Sequence, residues 1–480
     1  MTGLSAILSV GIDIGTSTTQ VVFSRITMEN TASYFSVPRI SIVDKTILHR
    51  STVHFTPMLQ NTELLDSTGV QAIVAEEFQK AGYCPGDVDT GAVIITGASA
   101  RKENAAELLR QLSSFAGDFV VSTAGPDLEA VIAGKGSGAW RYSVDRDCTV
   151  MNLDIGGGTT NIVLFASGKV QGKSCFDIGG RLIRLEADYT VRAVSPHAAA
   201  VAQAEGIQLR VGEKTTESEL RRITDRMAEL LAQAVGLAPA EPLLDRLHTV
   251  RSSLLGPWRP GCKICFSGGV AECIYRPDAE APLRYGDIGI LLGDSIRKNS
   301  CFAAQPVIKA GETIRATVVG AGSDTTELSG STIDYDQGIF PMKNLPVLRL
   351  TSEEQAACVA GDETVLDRRT EWFLEQSDST RLALAIPGIA DPEYSELQAI
   401  AQSVLDVLDS RLPKDEPILV VTEQDMAKAL GLVMRGLSSG RRKHAVIDGV
   451  QVEENDFLDL GHPLMDGLVV PVVVKTLIFG

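Results

Sequence analysis

Positive charge is in short supply. The 480-residue chain sets 44 Lys and Arg against 61 Asp and Glu, a formal net charge of −17. Nucleic acids and anionic membrane surfaces both require clustered cations, so this balance argues against either as a partner. No stretch reaches about 18 uninterrupted apolar residues, which leaves no candidate for a membrane-spanning helix. Met1-Thr2-Gly3-Leu4 brings neither the basic region nor the cleavage site of a signal peptide, and the apolar run behind it is expected to be a first strand. Cysteine offers no disulfide framework either. Its eight copies (Cys84, Cys148, Cys175, Cys262, Cys265, Cys273, Cys301 and Cys358) are widely scattered, as reduced and mostly buried thiols of a cytoplasmic protein would be. Aromatics make up only 5% of a composition that is otherwise ordinary for a globular protein, with 44% apolar and 22% charged residues. The length exceeds one core and suggests about three domains.

What the chain does have is one phrase written twice. Asp13-Ile14-Gly15-Thr16-Ser17-Thr18-Thr19 recurs as Asp154-Ile155-Gly156-Gly157-Gly158-Thr159-Thr160, each copy lying between two apolar runs. That pattern predicts a strand, a tight Gly-rich turn and a second strand. Such a turn aims backbone N–H groups and hydroxyls at one spot, so it can hold phosphate without any basic residue. The three glycines of the second copy let the backbone close on a ligand with no Cβ in the way. Two copies imply two hairpins gripping one nucleotide from opposite sides, with Asp13 and Asp154 holding a hydrated Mg²⁺ between them; such an ion keeps most of its waters.

The order of elements repeats as well. After the first hairpin, 34–47 offers a third antiparallel strand, 67–81 a helix with Val70, Ile73, Val74 and Phe78 on one face, 92–96 a strand, 102–112 a helix and 119–121 another strand. A small-residue helix then runs into Gly134-Lys135-Gly136-Ser137-Gly138. The second unit has its hairpin over 149–166, a strand over 169–177 and a helix expected after Gly179-Gly180. Helical inserts follow at 217–235 and 242–255, then the strand Lys263-Ile264-Cys265-Phe266, the turn Ser267-Gly268-Gly269 and a helix near 289–297. Beyond Pro306 the repeat stops. Strands are expected at 313–319, 347–350 and 418–421, a helix at 394–408, and a terminal strand in Leu468-Val469-Val470-Pro471-Val472-Val473-Val474. The expected division is 1–145, 146–304 and 305–480.

With Phe266-Ser267-Gly268-Gly269-Val270-Ala271-Glu272 added to the two hairpins, residues 7–300 resemble the actin, sugar-kinase and heat-shock chaperone ATPase superfamily. The resemblance implies an α/β fold of two duplicated actin-like (ribonuclease-H-like) lobes with an additional C-terminal α/β region. It also implies ATP and Mg²⁺, with Gly15, Thr16, Ser17, Thr18 and Thr19 on one side of the phosphates and Gly156, Gly157, Gly158, Thr159 and Thr160 on the other. Gly268 and Gly269 would approach adenosine, Glu272 the ribose hydroxyls, and Asp154 would orient the attacking water. The chain departs from the heat-shock chaperones at Gly125, where they carry a water-positioning Glu before the proline. That departure implies slow hydrolysis suited to a conformational switch.

A narrower resemblance spans nearly the whole chain. Ala133 to Ala139, Cys175-Phe176-Asp177-Ile178-Gly179-Gly180-Arg181-Leu182-Ile183, Ile447 to Phe457 and Val472 to Phe479 are similar to the reactivating factors of ethanolamine ammonia-lyase. It implies a chaperone that exchanges damaged cobalamin on that enzyme for intact adenosylcobalamin, and association with the ethanolamine-utilisation microcompartment. A small-molecule kinase and a non-enzymatic actin-like scaffold are the rivals on the same fold. Cys262 and Cys265 form a Cys-x-x-Cys with no second pair, which favours a structural thiol over a metal site.

Overall fold

A computed structural model of the chain describes residues 5–15, 18–30, 40–59, 64–96, 104, 108, 112, 120–123, 126–249, 255, 257–276, 281–321, 326–330, 332–377, 379–454, 456–464 and 467–476. The expected helix at 102–112 and Gly125 fall largely or wholly outside them.

The first unit is built from β1 (Ser5–Ile14), β2 (Thr18–Asn30), β3 (Ile40–Arg50), β4 (His54–Phe55), the helix α1 (Ser67–Ala81), β5 (Thr90–Ile95) and β6 (Val120–Thr123). Its sheet runs β3-β2-β1-β5-β6, with β4 paired to β2. The first three strands are antiparallel, whereas β5 and β6 run parallel to β1. Val10, Ile12, Ile14, Val21 and Phe23 alternate inward against Val70, Val74 and Phe78 of α1. Asp66 caps that helix by accepting from the Gly69 N–H at 3.1 Å.

After α2 (Pro126–Gly136) and α3 (Ala139–Asp145) the same plan begins again with β7 (Thr149–Ile155), β8 (Thr160–Ala166) and β9 (Lys169–Phe176). The strands β10 (Ile183–Leu185) and β11 (Val191–Val194) form a separate ribbon before α4 (Pro196–Ala204), α5 (Glu217–Ala234) and α6 (Pro242–Asp245). Then come β12 (Lys263–Ser267), α7 (Gly269–Tyr275), α8 (Gly289–Lys298), α9 (Ser300–Ala303), β13 (Val307–Ile308) and α10 (Ala316–Val319). This sheet runs β9-β8-β7-β12-β13. Its order matches the first sheet strand for strand, including which pairs are parallel. The duplicated ribonuclease-H-like topology is therefore present. Leu153, Ile155 and Phe266 pack under α5 through Leu220, Ile223, Met227 and Leu231.

Three sequence expectations fail locally. Of the helix expected over 242–255 only Pro242–Asp245 forms, and beyond it His248 bridges antiparallel to Phe176. After Gly179-Gly180 the chain forms β10 rather than a helix, because Ile183 and Leu185 are buried while Arg184 between them is exposed, an alternation only a strand satisfies. The β-branched run near 313–319 forms the short helix α10 rather than a strand. All four of its residues are buried between α2 and the strands β1 and β2, so tertiary packing overrides β-propensity.

The α2–α10 crossing joins the two units. α2 lies on β7, β8 and β9, whereas α10, which follows the second sheet in sequence, lies on β1 and β2. A Cβ on Gly136 would sit 1.9 Å from the Ala316 carbonyl oxygen, and one on Gly320 would sit 2.1 Å from that of Ile132. Only bare backbone allows this approach.

The remaining elements are β14 (Thr326–Leu328), β15 (Asp334–Tyr335), β16 (Met342–Arg349), α11 (Ser352–Val359), α12 (Glu363–Ser377), β17 (Ala383–Ile386), α13 (Tyr394–Arg411), β18 (Ile418–Thr422), α14 (Ala427–Ser438), β19 (His444–Asp448), β20 (Asp456–Leu460) and β21 (Pro471–Thr476). They form one sheet, β14-β21-β20-β16-β17-β18-β19-β15, with a parallel centre from β16 to β19. Leu384 and Val420 pack one face against Ile400, Val404 and Met434 of the helices. The opposite face buries Leu419, Val421 and Ile447 against Phe340 and Val450. The additional C-terminal α/β region is thus a sheet with two buried faces, as parallel centres require.

Candidate nucleotide site

The two hairpins have the same register. Asp13 faces Gln20 and Ile14 faces Thr19, as Asp154 faces Asn161 and Ile155 faces Thr160. Each turn closes on the same bond: Gly15 N–H donates to the Thr18 carbonyl at 2.9 Å, and Gly156 N–H to the Thr159 carbonyl at 2.9 Å. Thr16 and Ser17 lie outside the described residues. Gly15, Thr18, Gly156, Gly157 and Gly158 are half-buried, so the turns reach a solvent-accessible space, while Thr19, Thr159 and Thr160 are buried beneath them.

The buried threonines brace the turns. Thr56 Oγ1 donates to the Gly15 carbonyl at 2.8 Å and lies 3.2 Å from Thr19 Oγ1. In the second hairpin Thr160 Oγ1 donates to the Ile178 carbonyl at 2.7 Å. The Gly180 and Arg181 N–H groups donate to the carbonyls of Gly156 and Gly157 at 3.0 and 2.7 Å. A Cβ on Gly179 would lie 2.5 Å from the Gly157 carbonyl oxygen, so the Asp177-Ile178-Gly179-Gly180 stretch serves as the floor of that hairpin.

Asp13 and Asp154 lie at the ends of β1 and β7, equivalent strands of the two sheets, and are both buried. Burial pushes the Asp13 carboxyl up to about 7, against a hydrogen bond from Thr96 that lowers it, and the charge of Asp154 adds to the rise. Burial likewise pushes Asp154 up to about 6, against the Ser267 hydroxyl. Thr96 Oγ1 donates to Asp13 Oδ1 at 2.9 Å, and Ser267 Oγ donates to Asp154 Oδ1 at 2.6 Å. Thr96 follows β5 and Ser267 ends β12, so the two hydroxyls occupy equivalent places in the two sheets. Behind Ser267, Asn152 Nδ2 donates to its Oγ at 2.9 Å, and Ser137 Oγ donates to Asn152 Oδ1 at 2.8 Å. Sequence reasoning missed Thr96, Asn152 and Ser137, although hydroxyl-Gly pairs at two strand ends (Thr96-Gly97 and Ser267-Gly268) were visible.

Gly268 begins the third motif with φ +86°, a conformation that favours glycine, and a Cβ there would sit 2.4 Å from the Ile155 carbonyl oxygen. Gly269 opens α7 beside it. Glu272 accepts from Thr313 Oγ1, while the Gly268 N–H donates to the Thr313 carbonyl at 3.0 Å. The segment holding Thr313 is also fastened to the first unit. Arg50 pairs with Glu312 at 2.5 Å, Gln20 Nε2 donates to the Ile314 carbonyl at 3.1 Å, and Arg315 donates to the Ser51 carbonyl at 2.8 Å. Residues 312–315 therefore tie the Gly268 turn to the first hairpin's strand.

Asp127, in the first turn of α2, is paired with Lys173 at 3.3 Å. Cys262 and Cys265 are buried thiols, pushed up to about 11 chiefly by burial. Two facing hairpins, two buried carboxylates and a glycine turn against the second hairpin suit a nucleotide phosphate chain with a hydrated divalent ion. The carboxylates, raised by burial, are what such an ion would relieve. Among the described residues no group of three or more His, Cys, Asp or Glu could hold a metal ion.

The family model for ethanolamine utilisation protein EutA matches residues 5–480. The chain is 39% identical over 486 residues to the ethanolamine ammonia-lyase reactivase EutA of Escherichia coli K12, covering 98% of both chains. It is 39% identical over 482 residues to the protein of the same name from Salmonella typhimurium LT2, again covering 98% of each. Among solved structures it is similar to the PPX-GPPA enzyme of Aquifex aeolicus, with TM-score 0.40 and 14% identity, over 66% of this chain and 99% of that one. Among the described residues no helix is long and apolar enough to cross a membrane.

Proposed function

The chain belongs to the ethanolamine utilisation protein EutA family, and from that premise we propose that it is an ATP-dependent reactivase of adenosylcobalamin-dependent ethanolamine ammonia-lyase. Full-length similarity to two proteins bearing the reactivase name supports the client. The single observation carrying the nucleotide half is the paired hairpin geometry, with the same Gly-to-Thr closing bond at 2.9 Å in each copy.

In this reading the backbone and hydroxyls at 15–19 and 156–160 hold the phosphates. Gly268 and Gly269 admit adenosine to close approach, and the Glu272 carboxylate, braced by Thr313, borders the ribose. Asp13 and Asp154 would hold Mg²⁺ through its waters, and the ion would neutralise the phosphate charge. Asp154, aimed by Ser267, orients the attacking water. Nucleotide contact on both hairpins favours a closed arrangement about the α2–α10 crossing, and loss of the terminal phosphate relaxes it. The difference in client affinity between the two arrangements opens the cofactor site of the lyase, so that damaged cobalamin leaves and adenosylcobalamin enters. The ATPase unit runs on past the expected boundary at 304 through β13 and α10, the sheet from β14 onward is the part added to it, and the protein works in the cytoplasm with the ethanolamine-utilisation microcompartment.

The test is to inactivate ethanolamine ammonia-lyase, add the purified protein with MgATP and adenosylcobalamin, and follow deamination. Activity should return only when protein and ATP are both present. Equal return without the protein would sink the proposal.

A further inference from the structure

Neither turn, 13–19 nor 154–160, carries a Lys or Arg, yet a triphosphate chain brings several negative charges into the space between them. Among the described residues Arg181 stands beside that space. The Arg181 backbone N–H donates to the Gly157 carbonyl at 2.7 Å, which fixes this residue beside the tip of the second hairpin. Its guanidinium carbon lies 5.2 Å from the ring centroid of Phe55, a residue of the opposite unit. Phe55 is bridged across the strands to Thr18, beside the tip of the first hairpin. The Arg181 side chain thus begins at one phosphate hairpin and ends over a residue paired with the other.

Among the described residues its side chain has one ionic contact. The nearest acid is Asp287, at 3.9 Å from Nη1, the outer limit of an ion pair, and Asp287 Oδ1 is already taken by the Gly289 N–H at 2.9 Å. Among the described residues the guanidinium makes no hydrogen bond, although it offers five N–H donors in a planar fork suited to phosphate oxygens. Lys173, a nearby alternative on β9, is engaged with Asp127. Phe55 is 68% exposed, so the cation–π contact leaves most of the ring open to solvent.

The geometry points to Arg181 as the residue that binds the phosphate chain of a nucleoside di- or triphosphate in this cleft, with Phe55 reaching across from the other unit to hold the guanidinium in place. This rests on the nucleotide reading of the hairpins. It adds a contact that engages ligand and both units at once, because the cation is covalently part of one lobe and stacked on the other.

Isothermal titration calorimetry of the full chain separates the two claims, with MgATP and adenosine as the probes and R181Q, R181K and F55A as the variants. Arg181→Gln should weaken MgATP binding by about ten- to a hundredfold, the loss of a hydrogen-bonded charge, while adenosine binding stays within about twofold. Arg181→Lys should fall between, keeping the charge and losing the fork. Phe55→Ala should cost MgATP a few-fold at most. Unchanged MgATP affinity in R181Q overturns the assignment, and so does an equal loss for adenosine. Failure of the unaltered protein to bind MgATP instead overturns the nucleotide reading itself.

Discussion

Ser267 Oγ donates to Asp154 Oδ1 at 2.6 Å across two parallel strands of the second sheet, and Asn152 holds the same serine from behind at 2.9 Å. The hydroxyl favours the ionised form of a carboxylate that burial would otherwise keep protonated. Removing it with Ser267→Ala should raise Asp154 further above about 6. A hydrogen bond to a charged group is worth about 1.5–3 kcal/mol, or roughly one to two pH units. The acid limb of the pH profile for MgATP turnover should therefore lie at higher pH in S267A than in the parent protein. An unmoved limb would detach Asp154 from the rate.

Asp13 gives a stability signature. Its carboxyl sits near 7 in the folded chain against an ordinary 3.8. Between those values the native state holds a proton that the unfolded chain has lost, so this group's contribution falls as pH rises from about 4 to 7 and is flat above. Asp13→Asn deletes the buried charge and keeps the shape. At pH 8 the variant should resist thermal unfolding better than the parent, by on the order of 1–3 kcal/mol. At pH 4.5 the two should nearly coincide. Differential scanning calorimetry at both pH values reads this directly.

Proton release follows from the same pair. A divalent ion between Asp13 and Asp154 would draw both carboxyls down from about 7 and about 6. Binding of Mg²⁺ with ADP at pH 6.5 should then release protons, visible as heats that depend on the ionisation enthalpy of the buffer. The dependence should shrink in the Asp13→Asn variant.

Gly136 has no room for a methyl group, since its Cβ would sit 1.9 Å from the Ala316 carbonyl oxygen. The crossing of α2 and α10 would have to widen, and Gly136→Ala should cost about 1–3 kcal/mol of stability. Thermal melts check that. Nucleotide affinity, read on the folded fraction, should drop as well, because residues 312–315 lead from the Gly268 turn into α10.

Much of this was legible in the sequence because it rests on local chemistry. The duplicated Asp-Ile-Gly phrase set two hairpins in register, and helix 67–81 emerged with the expected ends. The rest depends on long-range pairing. Nothing near Asp13 announces Thr96, 83 positions away, and nothing near Asn152 announces Ser267, 115 away. Arg181 looked like part of a family phrase, and only the opposite lobe's Phe55 reveals where its side chain lies. The helix at 316–319 was hidden for the same reason, since its β-branched residues describe a strand until the neighbours at α2 are known.

In the proposed function a nucleotide held by both hairpins drives cofactor exchange on a cobalamin enzyme. It is tested most directly by loading ethanolamine ammonia-lyase with an inactive cobalamin and following corrinoid release by absorbance. The account predicts release with the unaltered protein and MgATP, and little or none with Asp154→Asn, whose hairpins remain but whose water-orienting carboxylate is gone. Release by D154N at the full rate, or release by the unaltered protein without ATP, would contradict it.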